Sequence, residues 1–326
     1  MSMMTLNRRA LGLLAGASLL PAPALAQSNF PSRPVRFVVP YPAGGATDVI
    51  ARMIAEKLPA LWGQPVVVEN RAGAGTTVAA EHVSRSEPDG HTLFETTSAH
   101  TISKSLYRNM SYDPIRDFTA ITLTSVVPLV LVVSKRVPAT DLAGFVAWGK
   151  AQRQGVTFGT TGNGTAQHLT AALFKLRADV PAEYVPYRGD APLNTDLLAG
   201  LVDGSFSTLS AVLPYIRGGE LKAIALAHPR RMDAIPSVPT FAEGGMPGFE
   251  AATWFGTFAP ARLPDALRER IAREIQGIVS DAAFTRRLVE MGGDVTNYGP
   301  ARFDEFIAAE TARWAEAVRV SGATIN

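Results

Sequence analysis

The sequence predicts an α/β protein built from two doubly wound domains with a cleft between them. Short apolar segments of strand length alternate with amphipathic segments of helical period, and this alternation occurs twice along the 326 residues. A strand, a helix and a second strand in that order form a right-handed crossover, which makes the two strands parallel. Glycine-rich stretches also stand repeatedly where a strand leads into a helix. Such junctions lie at the carboxyl ends of strands, where open α/β sheets bind their ligands.

The first set of elements has the order β-α-β-α-β. Its predicted segments are a strand at 35–39, a helix from about 47 to 61 that Pro59 could end early, a strand at 66–68, a short helix around 78–83 and a strand at 91–97. Strand 35–39 is apolar except for Arg36, which is typical of a strand covered on both faces. In the longer helix, Ile50, Ile54 and Leu58 fall on one face, so that face is expected to pack against the sheet.

The second set repeats the architecture without repeating the sequence, and a largely helical tail follows. Its predicted segments are a strand at 129–133, a helix at 141–152, a strand at 156–160, a helix at about 165–176, a strand at 184–186, a helix with Asp190 as its N-cap, and strands at 205–208 and 223–226. The tail is predicted as a strand at 253–260 and helices at 264–279, 281–291 and 301–318.

Residues 1–26 have the pattern of a secretory signal peptide. Arg8 and Arg9 precede an apolar stretch at 11–20 and a small-residue cleavage sequence at 24–26. The apolar stretch is too short to span a membrane, although a retained anchor is the alternative interpretation. The arginine pair leaves both the general secretory and the twin-arginine export routes open. Periplasmic localisation is therefore expected.

Composition restricts the classes of partner. The chain has 31 basic and 29 acidic residues, and two of the basic residues lie in the predicted signal peptide, so the remaining chain is formally neutral. No basic run follows, which argues against a nucleic acid partner. The sequence has no cysteine, so an exported form would fold without disulfides and depend on its core.

Three glycine-rich loops between strand and helix are candidate anion sites. They are Gly44 and Gly45 with Asp48 following, Gly73–Thr77, and the stretch 159–165. Glycine lets backbone N–H groups approach a ligand closely, and the start of a helix offers unpaired donors and partial positive charge. The alternative is that the glycines form tight turns, Asp48 stabilises its helix and Thr165 is an N-cap.

Catalytic, phosphate-binding and metal sites have little support in the sequence. No G-x-S-x-G motif and no complete phosphate-binding loop is present, and the five histidines lack the H-x-x-x-H spacing of a zinc site. We therefore predict no catalytic residues, no metal and no cofactor. His168, within an amphipathic helix, is predicted to be structural. Arg188 could pair with a ligand carboxylate or be an ordinary exposed side chain.

Six sequence blocks in order resemble those of a known family. They are V-P-Y-P-A-G-G-A-T-D at 39–48, G-Q-P-V-V-V-E-N-R-A-G-A-G at 63–75, P-D-G-H-T-L at 88–93, V-P-Y-R-G-D-A-P at 185–192, L-P-Y-I-R-G-G-E-L-K-A-I-A at 213–225 and R-R-M-D-A-I-P-S-V-P-T-F-A-E-G-G-M-P-G-F-E at 230–250. The chain resembles the substrate-binding proteins of tripartite tricarboxylate transporters, the TctC-like or Bug-type proteins.

This resemblance implies a Venus-flytrap fold that binds small carboxylates. Domain 1 would comprise 27–124 and 255–326 and domain 2 would comprise 125–254, with crossings near Thr124 and Trp254. The ligand-binding residues it implies, together with the loops above, are Tyr41, Pro42, Gly44, Gly45, Ala46, Thr47, Asp48, Gly73, Ala74, Gly75, Thr76, Thr160, Thr161, Gly162, Asn163, Thr165, Tyr187, Arg188 and Ser207.

Three departures from the family pattern bear on the ligand. Arg188 stands where a lysine is often found, and Ser207 stands roughly where members commonly carry an acid. Without that acid, recognition of an amino group is disfavoured, so amino acids are not the expected ligands. The Asn-Pro often seen before Leu106 is missing, which leaves open whether His100 faces the cleft.

The functional hypothesis is a monomeric periplasmic solute-binding protein. It would capture a small carboxylate by hinge closure and deliver it to membrane transporter subunits, which are separate chains. Two alternatives are an exported α/β enzyme that uses Asp48 and a histidine, and a ligand sensor for a signalling partner.

Overall fold

The computed structural model describes residues 30–290 and 292–325, so the predicted signal peptide lies outside the described residues. Within them, ten strands form one connected sheet. Eight of these strands are neighbours in the order 66–70, 35–39, 92–97, 252–260, 118–133, 204–208, 156–160 and 182–186. Strands 222–226 and 294–298 pair with strand 118–133 beside this path. None of the helices in this part of the chain is both long enough and apolar enough to cross a membrane.

The N-terminal elements match the predicted β-α-β-α-β order. They are β1 (Val35–Val39), α1 (Ala46–Trp62), β2 (Val66–Asn70), α2 (Thr77–Ser84), β3 (Thr92–Thr97) and α3 (Ala99–Leu106). Strand β1 pairs in parallel with both β2 and β3, which confirms the predicted crossovers. Helix α1 does not end early at Pro59 but continues to Trp62, because Gly63 takes the left-handed conformation and its N–H bonds the Pro59 carbonyl.

Alternating residues of β1 pack into two cores on opposite faces of the sheet. Val35 and Phe37 pack in a cluster with the apolar face of α1, whereas Val38 packs in another with Phe94 and with residues of α2. Helices therefore cover both faces, as a doubly wound sheet requires.

The remaining elements follow the second predicted set and the tail. They are β4 (Phe118–Val133), α4 (Leu142–Lys150), β5 (Val156–Thr160), α5 (Ala166–Ala178), β6 (Ala182–Pro186), α6 (Asp190–Ala199), β7 (Gly204–Thr208), α7 (Leu209–Arg217), β8 (Lys222–Leu226), β9 (Ala252–Pro260), α8 (Asp265–Val279), α9 (Ala282–Glu290), β10 (Asp294–Tyr298) and α10 (Pro300–Ser321). Strand β5 pairs in parallel with β6 and β7, so the second set also contains the expected parallel pairs.

The two predicted sheets are joined through β4, which is 16 residues long. It pairs with β9 from Phe118 to Pro128 and with β7 from Leu129 to Val133. Thr124 and Trp254, near which the crossings were expected, lie on these two antiparallel strands. The sequence interpretation gave only 129–133 as a strand because threonine and serine at positions 119, 122, 124 and 125 interrupt the apolar residues that precede it without a regular period.

Four local features differ from the sequence interpretation. Helices α3 and α7 and strand β10 were not predicted. Asp190 is the first residue of α6 and Gly189 is its N-cap, with φ +111°. A glycine is needed there because that backbone conformation is strained for any residue with a Cβ.

Helix α10 packs against both parts of the core. Phe303 near its start belongs to the cluster of Phe94 and Trp254, while Trp314 belongs to the cluster built around the C-terminal part of β4. Between them, Glu310 accepts hydrogen bonds from the indole nitrogens of Trp254 (3.1 Å) and Trp314 (2.8 Å). One buried carboxylate therefore joins the C-terminal helix to β9.

Candidate ligand-binding site

A cavity of about 390 Å³ lies between the N-terminal and C-terminal sets of strand ends. Nine of the predicted ligand-binding residues line it: Tyr41, Pro42, Gly44, Gly45, Ala46, Thr47, Thr161, Thr165 and Arg188. Ten others do not: Asp48, Gly73, Ala74, Gly75, Thr76, Thr160, Gly162, Asn163, Tyr187 and Ser207. The structure thus brings loops from both halves of the chain to one cavity.

Four helices begin at this cavity. Its lining includes first-turn residues of α1, α5, α6 and α7, such as Thr47, Gln167, Ala191 and Ser210. Among the described residues, no side chain caps the starts of α1, α6 or α7, whereas Thr165 caps α5. First-turn N–H groups are unpaired within a helix and carry partial positive charge. Together these helix starts favour an anionic ligand, except at α6, where Asp190 in the first turn offsets the partial positive charge.

The loop after β1 is held in shape by Asp48. Its carboxylate accepts hydrogen bonds from Gly44 N (2.9 Å), Arg52 Nε (2.9 Å) and Asn70 Nδ2 (2.9 Å). Burial alone would raise the pKa of Asp48, but these three donors together lower it below the ordinary value. Asp48 therefore stays ionised and positions the loop, rather than facing the cavity itself.

The two glycines of this loop differ in backbone conformation. Gly44 has φ +88°, which side chains rarely adopt. Gly45 has an ordinary extended conformation, and a Cβ there would meet nothing closer than the Pro42 carbonyl oxygen, at 3.7 Å. The backbone would accept a side chain at Gly45, which would occupy space beside the cavity.

Tyr41 and Thr97 form a polar pair in the wall of the cavity. Their hydroxyl oxygens are 2.8 Å apart, and burial raises the pKa of Tyr41 to about 12. Tyr41 is therefore a neutral phenol at any physiological pH. Thr97 was not predicted, although it ends β3 as the glycine loop ends β1, and the rule of strand ends would have found it.

The loop at Gly73–Thr77 closes one flank of the cleft instead of lining the cavity. The Tyr107 hydroxyl donates a hydrogen bond to the Ala74 carbonyl (3.1 Å). A Cβ added to Gly75 would overlap that hydroxyl and would lie 3.5 Å from the Asn163 carbonyl oxygen. This loop and the loop before α5 therefore meet directly.

Further hydrogen bonds support the loops around the cavity. Thr165 is the N-cap of α5, and its hydroxyl donates to the Gly162 carbonyl (3.0 Å). His168 accepts from Gly164 N at 3.1 Å, which confirms a structural role. The Tyr187 hydroxyl donates to Asp196 (2.7 Å).

Ser207 lies inside the sheet. It is fully buried in β7 and donates to the Ser205 hydroxyl (3.0 Å). The cavity is instead lined by Thr208 and Ser210, which follow it. The sequence did not single these out because the strand-to-helix junction at the end of β7 contains no glycine.

Helix α6 supplies polar groups that the sequence also missed. Asp190 and Asn194, one helical turn apart, both line the cavity. Burial raises the pKa of Asp190 to about 6. Thr253 and Phe255 of β9 complete the wall on the side of the connecting strands.

His100 does not face the cleft. It is 1% exposed, and its ring centroid lies 4.5 Å from that of Phe118 and 4.9 Å from that of Phe258. Burial lowers its pKa to about 4, so it is a neutral ring within an aromatic core. Within residues 30–290 and 292–325, no three acidic or histidine side chains are grouped closely enough to hold a metal ion.

The sequence of this chain matches one known protein family over most of its length. The model of the tripartite tricarboxylate transporter family receptor matches residues 50–322. The chain belongs to this receptor family. It is a solute-binding receptor, and the resemblance inferred from the six sequence blocks is confirmed.

Relatives of this receptor support the same assignment along the whole chain. The protein BugT of Bordetella pertussis is 34% identical over 318 residues, which covers 97% of each chain. The solved structure of R. palustris Rpa4515 with adipate has a TM-score of 0.87 at 32% identity, covering 91% of this chain and 100% of that one. MatC from Rhodopseudomonas palustris with bound malate gives 0.84 at 31% identity, covering 89% and 100%. The predicted periplasmic binding protein fold is confirmed.

Proposed function

We propose that this receptor captures a small carboxylate in the periplasm and delivers it to membrane transporter subunits. The observation that carries the proposal is the convergence of four helix N-termini on one cavity of about 390 Å³. Backbone N–H groups at such ends bind carboxylates without a cationic side chain. The adipate and malate bound by two similar receptors are both dicarboxylates, which supports this ligand class.

Capture would proceed by closure of two domains, 27–124 with 255–326 and 125–254. Segments of the two halves also approach each other closely at the cleft. A Cβ on Gly189 would lie 4.0 Å from Pro42 Cδ, and a Cβ on Gly164 would overlap Leu106. A ligand that contacts loops from both halves favours the closed form through its differential affinity. The receptor is proposed to act as a monomer.

The enzyme alternative relied on Asp48 and a histidine. Asp48 is engaged by three donors behind the loop, and none of the described residues lining the cavity is a histidine. The site thus offers hydrogen-bond donors for binding but not the pair that this alternative needed. Return of the ligand unchanged is the expected outcome.

The test is calorimetric titration and thermal unfolding of the chain from Gln27 onward against a panel of C4 to C8 carboxylates. A ligand at about a hundred times its dissociation constant should add about 2.7 kcal/mol to the free energy of unfolding. The bound compound is then recovered and identified by mass spectrometry. Conversion of that compound would support an enzyme, and binding of no carboxylate by ligand-free protein would refute the proposal.

A further inference from the structure

The cavity has one side on which acceptor atoms have no hydrogen-bond partner. Asp190 Oδ1 and Asn194 Oδ1 are both buried, and no described residue donates a hydrogen bond to either. The two residues are four apart on α6, so their side chains lie on the same face of the helix, and both line the cavity. The hydroxyl oxygens of Thr208 and Ser210, at the start of α7, are also buried without a partner in the described chain.

The orientation of Asn194 is fixed by its other amide atom. Its Nδ2 donates to the Ala211 carbonyl at 3.0 Å, which leaves Oδ1 as the acceptor without a partner. Asn194 is only 5% exposed, so this acceptor is held in a buried position. A buried polar atom without a partner is costly, and native proteins normally satisfy it with a ligand, water or another group.

We infer that the α6 side of the cavity binds a hydrogen-bond donor of the ligand, an ammonium or hydroxyl group carried next to its carboxylates. This inference rests on the proposed function and narrows its substrate class. The remaining walls present N–H and hydroxyl groups suited to carboxylates, whereas Asp190 is the one acid among the described lining residues. A ligand with carboxylates alone would leave the Asp190 and Asn194 oxygens unpaired and would place like charges together.

Other charged groups do not already neutralise Asp190. The ion pairs of the described chain do not include it, and Arg188, the other charged residue of the lining, has an exposed side chain. The Tyr41 phenol is already paired with Thr97. An ammonium brings three donors and a positive charge, which matches the Asp190 carboxylate and the neutral acceptors of Asn194, Thr208 and Ser210 better than a single hydroxyl does.

The inference also revises the expectation drawn from Ser207. The sequence lacks an acid at that position, and amino acids were disfavoured for that reason. An acid is nevertheless present at the cavity, but on α6, where the sequence interpretation took it for an N-cap. The fold can therefore supply a counter-ion for an amino group from a different element.

The test uses ligand sets that differ only in the donor group. Affinities are measured by calorimetry for succinate, malate and aspartate, and for adipate, 2-hydroxyadipate and 2-aminoadipate. In the set that fits, the wild-type receptor should bind a donor-bearing member at least about tenfold more tightly than the plain diacid. Whether the preferred member is the hydroxy or the amino acid identifies the donor.

Three variants locate the effect. Asp190→Ala should remove the preference, because the donor-bearing member loses its acceptor and the plain diacid, no longer facing a like charge, binds more tightly than to the wild type. Asp190→Asn, which keeps a neutral acceptor, should retain a preference for hydroxyl but lose one for ammonium. Asp265→Ala removes an exposed acid from the first position of α8 and serves as the matched control.

Equal wild-type affinity within every set, or an equal loss for all ligands in Asp190→Ala, would overturn the inference and leave the proposed function intact. Failure of every compound, the plain diacids included, to bind the wild-type receptor would instead refute the proposed function and this inference with it.

Discussion

At the scale of single residues, adjacent glycines of the loop after β1 have separate roles. Gly44 is required by its backbone, with φ +88°, and its N–H is fixed by Asp48. Neither the backbone conformation nor steric crowding requires a glycine at position 45, because its conformation is ordinary and its surroundings are open. The absence of a side chain at Gly45 leaves the cavity unfilled at the start of α1.

Gly45→Val should therefore fold normally and bind poorly. The added isopropyl group would displace a carboxylate from the N–H groups at the start of α1, and we expect a loss of affinity of at least about tenfold. Thermal unfolding checks the fold and calorimetry checks binding. Gly44→Val, by contrast, should destabilise the protein itself, and wild-type affinity in folded Gly45→Val would contradict the role of this loop.

Asp48→Ala should affect both stability and binding. It removes the carboxylate that accepts from Gly44 N and one of the two acceptors of Asn70 Nδ2, at a cost of about 1–3 kcal/mol for these charge-assisted bonds, and releases the loop. Denaturant unfolding and calorimetry measure the two effects. Arg52→Ala is the control, because it removes only the half-exposed partner of Asp48 and should cost less. Equal losses in both variants would show that the Gly44 bond does not hold the loop.

Glu95 should make stability depend on pH. It is fully buried in β3, accepts hydrogen bonds from Thr257 (2.6 Å) and Thr124 (3.2 Å), and has its pKa raised by burial to about 8 from an ordinary value of 4.5. A raised pKa means that the protonated form is favoured by folding. The corresponding stability is present below pH 4.5 and is lost as the pH rises through about 8.

The measurement compares wild type with Glu95→Gln, which stays neutral at every pH. Denaturant unfolding between pH 4.5 and 9 should show the wild type losing stability relative to the variant up to about pH 8. Other titrating groups are common to both proteins and cancel in the difference. A difference that is constant across this range would show that Glu95 is ionised in the fold.

At the scale of elements, the connecting strands and the last helix pair or pack with both halves of the structure. Strand β4 belongs to both parts of the sheet, and α10 packs against clusters on both. Sequence periodicity found α10 but not most of β4, because the threonine and serine residues at 119, 122, 124 and 125 follow no strand or helix period and only pairing with β9 and β10 fixes this segment as a strand.

Glu310→Ala should destabilise the protein by about 2 kcal/mol or more. Both buried indole N–H groups, of Trp254 and Trp314, would lose their acceptor. Glu310→Gln should cost less, since one amide oxygen can replace the single oxygen that accepts both bonds. Chemical unfolding measures the ranking, and equal stability of the two variants would contradict the role of this carboxylate.

At the scale of the whole molecule, the connections between the halves permit a hinge. Two antiparallel strands, β4 and β9, pass between the two parts of the sheet, and the cavity lies where the loops of both parts meet. The proposed closure is a motion about this connection, which would change the separation of the loops.

Ligand binding should therefore make the receptor more compact. Small-angle scattering of ligand-free protein, before and after addition of a carboxylate identified by calorimetry, should show a smaller radius of gyration with ligand. Gly45→Val protein under the same conditions is the control and should not change. An unchanged radius at saturation in the wild type would mean that the binding-competent form is already closed.

The sequence by itself determined the alternation of elements, the parallel pairs and the glycine loop at the start of α1. These follow from local periodicity and from conformations that only glycine adopts readily. The six sequence blocks also indicated the family, because they occur in order between residues 39 and 250.

Only the tertiary structure decided which polar groups share the cavity. The sequence predicted Asp190 as an N-cap and Ser207 as a ligand-binding residue. In the structure Asp190 lines the cavity, whereas Ser207 does not. His100 was undecided until its aromatic neighbours from β4 and β9 were in place. The physical reason is that the direction of a side chain depends on strand register and helix docking, which residues far apart in the chain determine together.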